Sequence, residues 1–266
     1  MTQQLAPTPP PRPRAAPSLM ARGRPWLAAA GAVLIVTGLA IEGLARRYVV
    51  AESAQFLVFA MVAPALIVLG APWRLLRLCG PMDRLAAARR RHASFVRAGV
   101  FLVLFIAVTV AWRLPPVMDA LASHSLLVVA ELVTLLAAGI ALWLELVSSP
   151  PLSPRLPNPH RAALAALAMW SAWVVAYALG FSNHPVFHGY DPASGVLSAV
   201  TDQEITVALV WAVSAFCFIP VIFVTLLTWL SASDNPDEEL QRLARDERQH
   251  PVVRGWGRPS RPRPGS

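Results

Sequence analysis

Residues 52–72 read E-S-A-Q-F-L-V-F-A-M-V-A-P-A-L-I-V-L-G-A-P, and about 17 of these positions form one apolar run. At about 1.5 Å of rise per residue, a helix of this length approaches the thickness of a bilayer core. Its polar residues sit at one end, where Glu52, Gln55 and Phe56 share a helical face through i, i+3, i+4 spacing. Pro64 lies mid-run, removes a backbone donor and leaves the carbonyl of Ala60 without its usual partner. In lipid that carbonyl has to be covered by neighbouring protein. The stretch therefore predicts a helix packed inside a bundle and stopped at Gly70-Ala71-Pro72.

Apolar runs of similar length recur at 26–45, 97–114, 124–147, 162–182 and 205–230, beside the 54–72 core of the first. Hydrophobic residues make up 56% of the chain, charged ones 14%, and the mean hydropathy is +0.52. These features predict an all-α, polytopic membrane helical bundle of about six transmembrane helices. The 26–45 run exceeds a signal-peptide core and reads as a retained helix. Arg113 cuts the 97–114 run short, and its side chain is expected to snorkel to the interface. Trp26, Trp73, Trp112 and Trp229 fall at span ends, as an aromatic belt requires.

All 23 basic residues are arginine, and 20 of them lie in the two tails, the 73–97 segment and the 148–161 segment. The alternate segments carry only Arg46, Arg47 and Arg113. By the positive-inside rule both termini are cytoplasmic. Arg89, Arg90, Arg91 and Arg97 are placed to meet anionic lipid headgroups or simply to hold the topology. Residues 1–25 read as a disordered basic Pro/Arg-rich tail and 26–232 as the six-helix domain. The 233–266 tail reads as a short helix followed by disorder. Arginines in tails and one loop do not make a nucleic-acid surface. Cys79 and Cys217 belong to no paired motif and predict no disulfide framework.

With this topology, most polar residues inside the spans gather at the outer side. Glu42 ends the first span, Glu52 and Gln55 open the second, and His124 with Glu131 lie along the fourth. His184, His188, Tyr190 and Asp191 follow in a loop, and Asp202-Gln203-Glu204 open the sixth span; Glu145 alone lies at the inner end. Glu131 is deepest, and the reading stays open between a functional group and a structural polar contact. The sharp hypothesis is a metal site from Glu52, Glu131, Asp202 and His124, supported by a polar network of Gln55, Gln203 and Glu42. Met61 and Met118 lie within reach as thioethers for Cu(I). No phosphate loop, H-E-x-x-H or G-x-S-x-G occurs, so the chain does not read as an enzyme.

Three blocks resemble the CtaG-type cytochrome c oxidase assembly factors. They are Gln55 with V-A-P-A-L-I-V-L-G-A-P (62–72), A-E-L-V-T-L-L-A-A-G-I-A-L-W (130–143) and T-D-Q-E-I-T-V-A-L-V-W (201–211). The resemblance implies a helical membrane protein that helps insert copper into a haem–copper oxidase. Its partners would be membrane lipid and an oxidase subunit or copper chaperone. The chain departs from the family at its ligand positions. Glu52 and Phe56 stand where two histidines flank the glutamine, Glu131 stands for a third, and Thr206-Val207 replace a small pair. Carboxylates in those places make a poor Cu(I) site. Two rivals remain, a small permease for a metal or organic cation using Glu131, and a ligand-free structural subunit.

Overall fold

The computed structural model describes residues 25–74, 78–91, 94–180, 186–187, 189–190, 198–232, 240–241 and 244–245. The expected disordered N-terminal tail, most of the C-terminal tail, and His184, His188 and Asp191 lie outside these residues.

The protein is all-helical. α1 (Pro25–Ala40) and the single turn α2 (Glu42–Ala45) together replace the one continuous helix expected over 26–45. α3 (Val49–Leu57), a π-helical turn (Val58–Val62) and α4 (Ala63–Gly70) make one continuous apolar rod. Four more long apolar helices follow: α6 (Ser94–Trp112), α8 (Ser125–Leu146), α9 (Asn158–Gly180) and α10 (Ala199–Ala232). With α1 as a shorter apolar helix, these are the expected six. Two helices were not expected: α5 (Cys79–Arg91) in the arginine-rich segment and α7 (Pro115–Ser123) between α6 and α8. α7 starts with Pro115-Pro116, which suit a first turn because its donors have no helical partner anyway.

The α3–α4 rod is the core of the bundle, with 67% of its most apolar window buried against 17% for α6 and for α10. α1 packs along α4, α8 along α4 and the π turn, and α10 along α3. α9 and α10 form the most extensive helix pair. The proline explains the π turn. Pro64 cannot donate to Ala60, and the chain widens by one residue over Val58–Val62 just before it. The freed carbonyl faces α8 at Gly139, where an added Cβ would lie 2.4 Å from the Ala60 oxygen and 2.7 Å from the Pro64 ring. Neighbouring protein covers the break, as lipid burial demands.

The stop after α4 is made differently from a glycine cap. Ala71 takes the left-handed conformation (φ 47°), while Gly70 sits against the backbone of Ala28 in α1. A Cβ at Gly70 would approach the Ala28 nitrogen to 2.4 Å, so the glycine serves helix contact and leaves the turn to alanine. Beyond it, Trp73 donates its indole N–H to the Pro150 carbonyl (2.8 Å), and the Ser149 hydroxyl donates to the Val68 carbonyl. The segment after α8 is thereby fastened to the end of the central rod.

At this arginine-rich end Glu145, fully buried, accepts from Arg89 Nη2 (2.6 Å), Arg97 Nε (2.7 Å) and Arg97 Nη2 (3.0 Å). Burial lowers the Arg89 guanidinium from its ordinary value, and Glu145 pulls the other way. Arg161 donates to the Leu146 carbonyl, a cation placed at the C-terminal, negative end of the α8 dipole.

Gly139→Ala is expected to lower stability by about 1–3 kcal/mol, because α8 must move off the Ala60 carbonyl. Gly43→Ala, with open space around its Cβ, serves as the neutral control. Thermal unfolding of both variants in the same detergent distinguishes them.

Candidate functional site

Arg113 follows the last turn of α6 and does not snorkel to water; it is 5% exposed. Its Nη1 donates to Glu52 Oε2 (2.6 Å) and its Nη2 to Glu52 Oε1 (3.2 Å), a two-pronged pair across helices. Nη1 also lies 3.0 Å from the Ser53 hydroxyl and 3.6 Å from the Met118 sulfur. The guanidinium carbon stands 3.8 Å from the centre of the Phe56 ring. Glu52 and Phe56 are i, i+4 on α3, so one helical face supplies both the carboxylate and the aromatic ring that hold the cation.

Glu131 enters this centre from α8. It is 1% exposed and lines the same cleft as Glu52. Its Oε1 has no partner among the described residues. A narrow cleft lies here, walled by Glu42, Glu52, Gln55, Glu131 and Tyr190. Burial raises the Tyr190 hydroxyl above its ordinary value, with Glu52 adding to the effect. Glu42 pairs with Arg46 at 2.9 Å and, with the Gly38 carbonyl, accepts from Gln55 Nε2 at 3.2 and 2.9 Å respectively. Gln55 thus ties α3 back onto the end of α1.

The two polar residues that open α10 act as braces. Asp202 accepts from the backbone N–H of Val49 (2.7 Å) and Val50 (2.9 Å), satisfying donors at the start of α3 that no helical carbonyl can reach. Gln203 Oε1 accepts from the Val186 N–H (3.0 Å). Asp119 on α7 accepts from the Gly189 N–H (2.8 Å). Phe187 and Tyr190 then turn inward and meet edge to face, with ring centres 6.4 Å apart.

Of the four residues expected to share a metal, Glu52 and Glu131 meet. Asp202 is spent on the α3 backbone. His124 sits exposed at the end of α7, its Nδ1 3.0 Å from the Ala120 carbonyl and 2.8 Å from the Ser123 hydroxyl. Among the described residues no three His, Cys, Asp or Glu side chains converge as metal ligands. Sequence reasoning did not place Arg113, Ser53, Asp119 or Thr206 in or beside the centre. The only signal for Arg113 was an arginine inside the limits of an apolar run, and its partner lies 61 residues away.

Arg113→Leu leaves the Glu52 carboxylate buried without its cation, a loss expected to cost about 3–5 kcal/mol. The double variant Glu52→Leu/Arg113→Leu should recover most of that loss, since neither charge then stands alone. Detergent unfolding curves of the single and double variants check both expectations.

The family described as cytochrome c oxidase caa3 assembly factor (Caa3_CtaG) matches residues 11–232. No curated protein and no solved structure matches the chain. The match takes in all six apolar helices, the Glu52–Arg113 centre and the Asp202 brace. The chain belongs to the caa3-type cytochrome c oxidase assembly factor family.

Proposed function

We propose that this membrane protein assists the maturation of a haem–copper cytochrome c oxidase, acting without catalysis on an oxidase subunit in the bacterial inner membrane. The observation that carries the reading is the family match over 11–232. The arginine distribution supports cytoplasmic termini, and hence an outward-facing position for the Glu52–Arg113 centre. That centre supports a scaffold role. Its polar groups are largely consumed in bracing α3 against α6, α10 and the end of α1.

Copper is the cargo such a role brings to mind, and the donors at the centre do not fit it. Both Glu52 oxygens are engaged by Arg113, whose fixed positive charge opposes a second cation. Carboxylate oxygens are hard donors, whereas Cu(I) prefers thiolate, thioether and imidazole. At the positions where the family resemblance expects paired histidines, Glu52 and Phe56 hold a guanidinium. The reading favoured by these donors is an assembly factor that works through contact with its client, with copper delivery as the rival outcome.

Deleting the gene is expected to reduce oxidase activity in membranes, with restoration by the wild-type chain. Unchanged oxidase activity and copper content in deletion membranes under copper limitation would sink the proposal. Purified protein loaded with copper is expected to retain well below one equivalent. Retention of a full equivalent that disappears in Glu131→Ala would favour copper delivery instead.

A further inference from the structure

Beside the acidic cleft, on the other flank of Arg113, a second, partly open cavity lies between α3, α6, α9 and α10. Its walls are mainly apolar, with Phe56, Met61, Val175, Ala176 and Val210 among them. Two wall residues carry a polar atom with no partner among the described residues, Arg113 Nε and Thr206 Oγ1. Both side chains are more than nine-tenths buried. Thr206 is one of the two positions that depart from the small pair of the family pattern.

We infer that this cavity binds a neutral, carbonyl-bearing amphipathic membrane molecule, its acceptor oxygens toward Arg113 and Thr206 and its apolar body against α9 and α10. The chemistry selects that class in three steps. An unpaired buried N–H or O–H costs about 1–3 kcal/mol, and an acceptor oxygen removes that cost. Glu52 already balances the Arg113 charge, so a neutral oxygen suits the site better than an anion. The polar atoms also lie near helix ends: Arg113 just past α6, Thr206 about 10 Å into α10. At that depth a membrane offers the ester carbonyls of glycerolipids and the ring carbonyls of isoprenoid quinones, each joined to an apolar chain.

The test uses the full chain in detergent and two probes without net charge, a decyl-substituted benzoquinone and a dihexanoyl phosphatidylcholine, with binding read from the shift in melting temperature across a titration. One probe is expected to bind wild type saturably. Thr206→Val, which keeps the shape and removes the hydroxyl, is expected to weaken that binding about fivefold to tenfold. Val175→Trp, on a half-buried wall position, should abolish it while helical circular dichroism is retained. Binding by the quinone alone identifies a quinone site, and binding by the phospholipid alone a glycerolipid site. No saturable shift with either probe overturns the inference, as do equal shifts in wild type and both variants.

Discussion

Arg113 and Glu52 form an ion pair that the bundle could not discard in halves. Taking a guanidinium and a carboxylate out of water costs several kcal/mol each, and two-pronged bonding with a ring beneath the cation offsets most of it. Removal of either partner would leave an uncompensated charge in a low-dielectric interior. The pair therefore fixes where the end of α6 meets α3, and it sets how deeply both enter the bundle. Asp202 and Gln55 extend the same logic, binding the start of α3 to α10 and to the end of α1. One rod thus carries fixed polar contacts to three other helices near one end.

The other end of that rod is governed by shape as much as by charge. Pro64 breaks the helical ladder, the π turn absorbs the break, and Gly139 lets α8 cover the exposed carbonyl. At the arginine-rich end Glu145 gathers Arg89 and Arg97 around the last turn of α8. Two cations there serve one carboxylate, while at the opposite end the carboxylates outnumber the cations and one Glu131 oxygen has no partner among the described residues. This asymmetry follows the distribution of arginines along the chain.

Family membership and local chemistry point in compatible directions once the centre is seen as a brace. Glu52 and Phe56, the residues that depart from the family's histidine pattern, are the ones that grip Arg113. A side-chain cation is therefore held at the positions where the resemblance implies metal ligands.

Helix count, span positions and the clustering of Glu42, Glu52, Gln55, Glu131, Asp202 and Gln203 toward one end were legible in the chain, because hydrophobic length and polar position along a span need no knowledge of partners. The split of the first span, the helices α5 and α7, and the left-handed Ala71 were not, since each depends on what packs beside it. Arg113 shows the limit most clearly. A lone arginine at the edge of an apolar run reads equally well as an interface anchor or as a buried counter-ion. Only the meeting of α6 with α3, 61 residues apart in the chain, decides for the ion pair. The chain alone determined that this protein lies in a membrane; tertiary contact decided which of its charges face one another, because pairing is a property of distance in space.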